Sequence, residues 1–228
     1  MSAPDFDAIP AAIVADVLRV GGMPHQALSS RILRLPPKGG LWGPAFCARG
    51  ETELGGPPMQ AAKTTRYEMF RRIGQGEILV VASGGYDEAV VFGENVVVSL
   101  AAKGCAGIVA DGGVRDVDAI RAMTIPVYAR FATPVSSAGR WRYVALQEAI
   151  AMPGQTAATV MVRPGDFMVA DGDGVMVVPA EFAADVAADA RRLHAIEEGF
   201  RPRLEAGEDP EGVYGSVNKF GHVRRHRS

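Results

Sequence analysis

Three charged residues have the types and spacing to do chemistry together: Glu94, which follows a glycine, and the adjacent pair Arg115 and Asp116. The stretch between them, ENVVVSLAAKGCAGIVADGGVRD, reads as a helix followed by a buried strand. A helix of about ten residues advances roughly 15 Å. A strand of about five residues returns roughly 16 Å. If the two run antiparallel, Glu94 and the Arg115-Asp116 pair meet at the mouth of a helix N-terminus. Two carboxylates beside a guanidinium suit oxygen-ligand metal chemistry. Glu94, Asp111 and Asp116 are the candidate ligands, and Mg²⁺ or Mn²⁺ the cation that carboxylates and water favour. A metal at Asp116 that polarises a substrate oxygen, next to an arginine that pairs with a carboxylate, fits an α-keto acid.

Other chemistries find little support. Four histidines, His25, His194, His222 and His226, are too few and too scattered for a histidine-ligated zinc, and no serine sits in a nucleophile elbow. The loop Ser83-Gly84-Gly85-Tyr86-Asp87 lacks the phosphate-loop and dinucleotide patterns. Asp171-Gly172-Asp173-Gly174 reads as a turn, since the glutamate that would complete a calcium loop is missing. A formal net charge of -2 gives nucleic acid no electrostatic foothold. The two cysteines, Cys47 and Cys105, have no metal-ligand spacing and suggest reduced thiols. No stretch is apolar for long enough to span a membrane, and the acidic start MSAPDFDAIP is not a signal peptide, so a soluble, cytoplasmic protein is expected.

The elements that must position these residues follow an α/β rhythm. Residues 9–20 place Ile13, Val17 and Val20 at helical spacing before Gly21-Gly22. An extended stretch follows from Leu28 to Leu35, then a strand over 41–49 interrupted by Gly43-Pro44, a loop over 50–58, and a helix over 59–73 with Met59, Ala62, Met69 and Ile73 facing inward. Ile78 to Ala82 and Gly107 to Ala110 are short, wholly apolar runs of the kind buried on both faces of a parallel sheet. A short helix over 117–123 and a strand over 125–129 continue the alternation. From Thr156 the pattern turns to short strands over 158–162, 167–170 and 174–178 with tight turns between them. A long helix from Pro179 to about Leu204 carries Phe182, Val186, Ala190, Leu193 and Ile196 on one face. Residues 1–207 form one domain in this reading, and 208–228 a flexible tail.

Glu94, twenty residues, then Arg115-Asp116 resembles the acid-x20-Arg-Asp motif of the 4-hydroxy-4-methyl-2-oxoglutarate aldolases. That family shares its fold with the regulator of ribonuclease E activity A. Val80 to Gly85, Ala110 to Asp116, Val162 to Asp166 and Asp171 to Val175 are similar to family phrases, as is Ile13 to Leu18. The resemblance runs from about Ile9 to Gly207. It implies a swivelling β/β/α fold with a long C-terminal helix, assembled as a homotrimer or homohexamer. It also implies a divalent-metal-dependent aldolase that releases pyruvate from a 4-hydroxy-2-oxo acid, with oxaloacetate decarboxylation as a second activity. Carried over by position, Asp116 and Glu94 would serve the metal, Arg115 would hold the keto and carboxylate oxygens, and the N–H groups of Asn95 and Val96, after Gly93, would take the carboxylate. Asn95 and Val96 stand where the family has leucines. Glu197 or Glu198 would be offered to a neighbouring subunit's site. The competing expectation is a non-catalytic regulator that binds a ribonuclease; regulators of that kind lack the complete acidic motif, which is present here.

Overall fold

The computed structural model describes residues 4–35, 39–53 and 60–226, with the backbone alone for 60–64. In chain order its elements are α1 (Ala11–Gly21), β1 (Leu33–Leu35), β2 (Leu41–Thr52), α2 (Gln60–Arg72), β3 (Ile78–Ala82), β4 (Val90–Phe92), α3 (Glu94–Ala101), β5 (Gly107–Ala110), β6 (Gly113–Val114), α4 (Val117–Arg121) and β7 (Val127–Ala129). They continue with β8 (Phe131–Ala132), β9 (Trp141–Leu146), β10 (Ile150–Pro153), β11 (Thr159–Val162), β12 (Phe167–Ala170), β13 (Val175–Val178), α5 (Ala183–Glu205) and α6 (Pro210–Gly215).

The main sheet has the order β1-β7-β5-β3-β2-β12-β13, and β9 also pairs with β2. Its centre, β7-β5-β3-β2, is parallel, while β1, β12, β13 and β9 join antiparallel. Every residue of β3 and β5 is buried, because helices or strands cover both faces of the parallel part. On one side lie α2, α3 and α4, with Met69, Val97, Leu100 and Ile120 packed on Leu79, Val81 and Ile108. On another, Ile150, Met152, Val160 and Val162 of the β10-β11 hairpin pack on Val80, Val109 and Tyr128. A third core joins α1 and α5 to β12 and β13 through Val14, Val17, Leu18, Val186, Ala190 and Leu193. The α/β class, the β/β/α layering and the long C-terminal helix are as expected from the sequence.

The turn reading of Asp171 to Gly174 is also met, and its carboxylate has a use. Asp171 Oδ2 accepts the Ala11 N–H at 2.8 Å, which serves a donor left open at the start of α1, where Pro10 offers no side-chain cap. Cys47 and Cys105 are buried free thiols. Burial, and secondarily Asp166, pushes the Cys47 thiol up to about 12, which disfavours the thiolate at neutral pH. Among the described residues no helix is long and apolar enough to cross a membrane.

Several expectations need correction. The strand over 41–49 is not broken at Gly43-Pro44; β2 runs on to Thr52 with a bulge at Arg49/Gly50 against β9, so residues 50–52 are strand and not loop. Met59 lies outside the described residues, as does the side chain of Ala62; Met69 and Ile73 face inward as expected. The segment read as a flexible tail from residue 208 is folded as far as His226. Asp209 caps α6 by accepting the Gly212 N–H at 3.0 Å, with Pro210 in the first turn. Further on, Arg224 pairs with the buried Asp189 at 2.9 Å, and the His226 N–H donates to the Gly21 carbonyl at 2.8 Å. A buried carboxylate on α5 requires such a partner, and the tail supplies it.

Candidate functional site

A second, three-stranded sheet builds the site. β4, β6 and β8 are parallel neighbours, with Val90 opposite Gly113, Phe92 opposite Val114 and Gly113 opposite Phe131. The helices α3 and α4 start at the carboxyl ends of β4 and β6, so their first residues lie side by side. The Arg115 N–H donates to the Phe92 carbonyl at 3.3 Å, and Asp116 Oδ2 accepts the Glu94 N–H at 3.1 Å. Asp116 therefore caps the start of α3 rather than of its own helix. Its backbone is left-handed, φ 60° and ψ 37°, a strained setting for a residue with a side chain and one that aims the carboxylate back across the strand ends. The Arg115 Nε lies 3.5 Å from Asp116 Oδ2, and both side chains are half-exposed. A Cβ on Gly93 would meet Asp116 Oδ2 at 2.6 Å and Arg115 Cγ at 2.9 Å. The Gly93 φ of -148° suits any residue, so space and not conformation demands glycine there.

The two charged ends thus meet, but by a different route from the antiparallel return of α3 and β5. After β5 the chain turns at Asp111-Gly112 into the second sheet, and the β4-β6 pairing closes the distance. Asp111 itself is only 4% exposed and accepts the Ser83 N–H, tying the end of β3 to the end of β5. Burial raises its carboxyl above the usual carboxylate range, against the lowering effect of Ser83 and Arg130. It is a bracing residue of the sheet junction. Because the folded state holds this proton more tightly than the unfolded one, the group favours folding most at pH below the ordinary carboxylate range, and that contribution falls as pH rises through the raised value. At neutral pH, Asp111→Asn is therefore expected to keep or raise the melting temperature, since the amide oxygen still accepts the Ser83 N–H. Asp111→Ala strands that N–H and should cost about 1–3 kcal/mol in a denaturant titration.

Gly93, Asn95, Val96, Arg115 and Asp116 line one end of a cleft of about 630 Å³. Its floor is Val91, Phe92 and Tyr143, and Trp141 stacks edge-on against Tyr143 at 4.8 Å between ring centres. The Tyr143 hydroxyl donates to the Val91 carbonyl at 3.2 Å, and burial holds its phenol well above the usual range. The side chains of Arg66, Tyr67 and Phe70 on α2, Arg142 on β9, and Ser136 and Ser137 complete the walls. None of these was singled out from the sequence. The alternation Trp141, Arg142, Tyr143 was the one local signal, because it puts two aromatics on one face of a strand.

Glu94 gives Asp116 its N–H, but its side chain is not part of the cleft lining. The Val96 N–H already donates to the Gly93 carbonyl at 3.0 Å inside the first helical turn. Glu197 and Glu198 lie on α5, in the layer that packs on α1; Glu197 pairs with Lys219 at 2.5 Å, Glu198 is exposed, and neither lines the cleft of its own chain. Among the described residues no three His, Cys, Asp or Glu side chains gather as a metal cage. The donors at the cleft mouth still fit a hard cation that keeps most of its water and needs only one or two carboxylates. Among the described residues the hydrogen bond and the ion pair of Asp116 both fall on Oδ2, which leaves Oδ1 for a cation or its water.

A family model described as Aldolase/RraA matches residues 11–177. The chain belongs to this family. An uncharacterized protein, MJ0644, of Methanocaldococcus jannaschii is 33% identical over 134 residues, 59% of this chain and 61% of that protein. A 4-hydroxy-4-methyl-2-oxoglutarate aldolase of Thermus thermophilus is 34% identical over 106 residues, 46% of this chain and 61% of the aldolase. The chain thus spans about three fifths of the length of these curated relatives. Among solved structures, Streptomyces coelicolor RraAS2, described as an unusual member of the RNase ES inhibitor RraA protein family, superposes with a TM-score of 0.73 at 27% identity, covering 87% of this chain and 95% of that one. The Aldolase/RraA family therefore includes proteins named for carbon–carbon lyase activity and others named for ribonuclease inhibition.

Proposed function

We propose that this Aldolase/RraA protein is a divalent-metal-dependent aldolase that cleaves a 4-hydroxy-2-oxo acid to pyruvate and a second carbonyl compound. The observation that carries the reading is the convergence of Arg115 and Asp116 with the start of α3 at one end of a cleft. Asp116 would hold the metal directly and Glu94 through water; when bound, Mg²⁺ or Mn²⁺ would supply Lewis acidity toward the keto oxygen. Arg115 would grip the keto and carboxylate oxygens with its planar fork and stabilise the enolate charge that builds there. The helix start at Asn95 and Val96 adds a positive field for the carboxylate. The C3–C4 bond breaks, its electron pair passes into the C2 carbonyl as the enolate, the C4 hydroxyl gives up its proton as the new carbonyl forms, and protonation of C3 completes pyruvate. Oxaloacetate decarboxylation reaches the same enolate by losing carbon dioxide, and is the expected side activity.

Assembly as a homotrimer or homohexamer in the cytoplasm completes the reading, with Glu197 or Glu198 reaching a neighbouring subunit's cleft. The test is pyruvate release, coupled to lactate dehydrogenase, from a panel of 4-hydroxy-2-oxo acids and oxaloacetate with Mg²⁺, Mn²⁺ or chelator. Chelator-sensitive release is expected. No release from any of them would point instead to a ribonuclease-binding regulator. Gly93→Ala should lower turnover at least tenfold while moving the melting temperature little, because the added methyl displaces Asp116 and Arg115 without entering the core.

A further inference from the structure

The geometry of the site depends on where β4 stands against β6. The two strands do not keep step: Val90 lies opposite Gly113, but Phe92 lies opposite Val114. β4 thus advances two residues where β6 advances one, and Val91 is the extra residue of a bulge. That step decides which carbonyl faces the first residue after β6. The Phe92 carbonyl accepts the Arg115 N–H at 3.3 Å, and Gly93 is the residue packed against Arg115 Cγ and Asp116 Oδ2. A slip by one residue would bring a side chain to the place where only glycine fits, and would move Arg115 off its carbonyl.

Val91 is held on two sides. Its side chain covers Gly112, where an added Cβ would meet Val91 Cγ1 at 2.7 Å. Its carbonyl accepts the Tyr143 hydroxyl at 3.2 Å, a bond between β9 and β4 shut away from water, with Tyr143 only 4% exposed. The tyrosine is itself fixed. Trp141 packs edge-on against it, and the Trp141 indole N–H donates to the Ser83 carbonyl at 2.9 Å. Gly50, opposite Tyr143 on β2, leaves room for that indole, because a Cβ there would overlap the ring. Through its ladder with β2, β9 belongs to the large sheet, so the Tyr143 hydroxyl joins that sheet to the bulge.

We propose that Tyr143 is a positioning residue for the Arg115-Asp116 site: its hydroxyl fixes the β4 bulge at Val91, and through it the carbonyl that aims Arg115. The inference rests on the aldolase reading only where turnover is used to measure it. The hydroxyl acts through the backbone and not on the ligand.

Tyr143→Phe keeps the ring and removes only this hydroxyl. Its pyruvate release should fall about tenfold in kcat with KM within about twofold of wild type, the scale of one buried hydrogen bond. Gly93→Ala disturbs the same two side chains by another route, so the double variant should lose no more than Gly93→Ala alone. A role in stability alone would lower the melting temperature and leave kcat unchanged well below it. The direct readout is the ¹⁵N–¹H spectrum, in which the Arg115 and Glu94 amide signals should move in Tyr143→Phe while those of α1 and α5 stay. Tyr143→4-aminophenylalanine places a weaker donor at the same carbonyl and should give an intermediate kcat. If Tyr143→Phe does not fold, this second variant carries the test, and a wild-type kcat with unmoved signals is the overturning result. For Tyr143→Phe itself, wild-type kcat, a rise in KM with kcat unchanged, losses that multiply with Gly93→Ala, or unmoved Arg115 and Glu94 signals each overturn the positioning role. If the wild type cleaves no 2-oxo acid, the aldolase reading fails and the amide signals alone decide for or against Tyr143.

Discussion

Asp116→Asn is expected to cut metal-stimulated pyruvate release by about a thousandfold, the scale at which an enzyme loses a main stabiliser of a developing oxyanion. The substitution separates charge from architecture. An asparagine oxygen can still accept the Glu94 N–H that Asp116 Oδ2 now accepts at 3.1 Å, so the start of α3 stays capped. It also keeps the left-handed backbone that Asp116 adopts at φ 60°, since asparagine tolerates this region as well as aspartate does. What disappears is the negative charge that would hold the cation. The measurement is kcat against Mg²⁺ or Mn²⁺ concentration, with the melting temperature as the control for folding. Wild-type turnover in this variant would remove Asp116 from the metal site.

Arg115→Lys should lower kcat by roughly a hundredfold while retaining the positive charge. Lysine carries a single ammonium on a flexible stem, and it cannot bridge the keto and carboxylate oxygens with two parallel N–H donors. The neighbouring geometry sharpens the effect. Arg115 packs its Cγ and Nε against the position where a Gly93 side chain would begin, so its stem is held and its fork aimed by backbone that lysine would not use in the same way. A rise in KM with kcat unchanged would show that the arginine only binds substrate; an equal fall in kcat and kcat/KM is the expected pattern for a group engaged in the transition state.

The parts of the fold legible in the sequence were those with a strong hydrophobic signal, either an unbroken apolar run or a helical period. Ile78 to Ala82 and Gly107 to Ala110 are apolar throughout and bounded by turns, and both are buried parallel strands. The α1 stripe and the glycine stop at Gly22, which adopts φ 99°, were equally plain. The strands that build the candidate site were not. Val90–Phe92 and Gly113–Val114 are too short to show any period, and they exist because of their neighbours. Spacing still brought Glu94, Arg115 and Asp116 forward, since a strand–helix–strand unit returns its ends to one edge whichever sheet closes it. Arg66 stayed hidden because an arginine on a helix looks like any solvated charge until the opposing strand, seventy-odd residues later in the chain, is seen to carry Trp141 and Tyr143. The folded tail was hidden for a similar reason. Asp189 sits on the buried face of α5, and its partner Arg224 lies beyond two turns and a further helix.

The two sheets share an ordering that bears on how the molecule folds. β7, β5 and β3 lie side by side in the large sheet, and each leads on to one strand of the small sheet, where β8, β6 and β4 lie in the same sequence. The junctions are stitched together: Asp111 accepts the Ser83 N–H, and the Arg130 N–H donates to the Gly112 carbonyl at 3.0 Å. The large sheet therefore sets the order of the strands in the small one, while β4 and β6 take their own register, with a shift between Val90 and Phe92. The non-local pairings of the small sheet require the long loops that join the parallel strands to close first, so it is expected to form late in folding. Once formed, it is expected to open with the core as one cooperative unit, unlike a site carried on a mobile loop, and amide hydrogen exchange of β6 at the rate of β5 would be the sign of it.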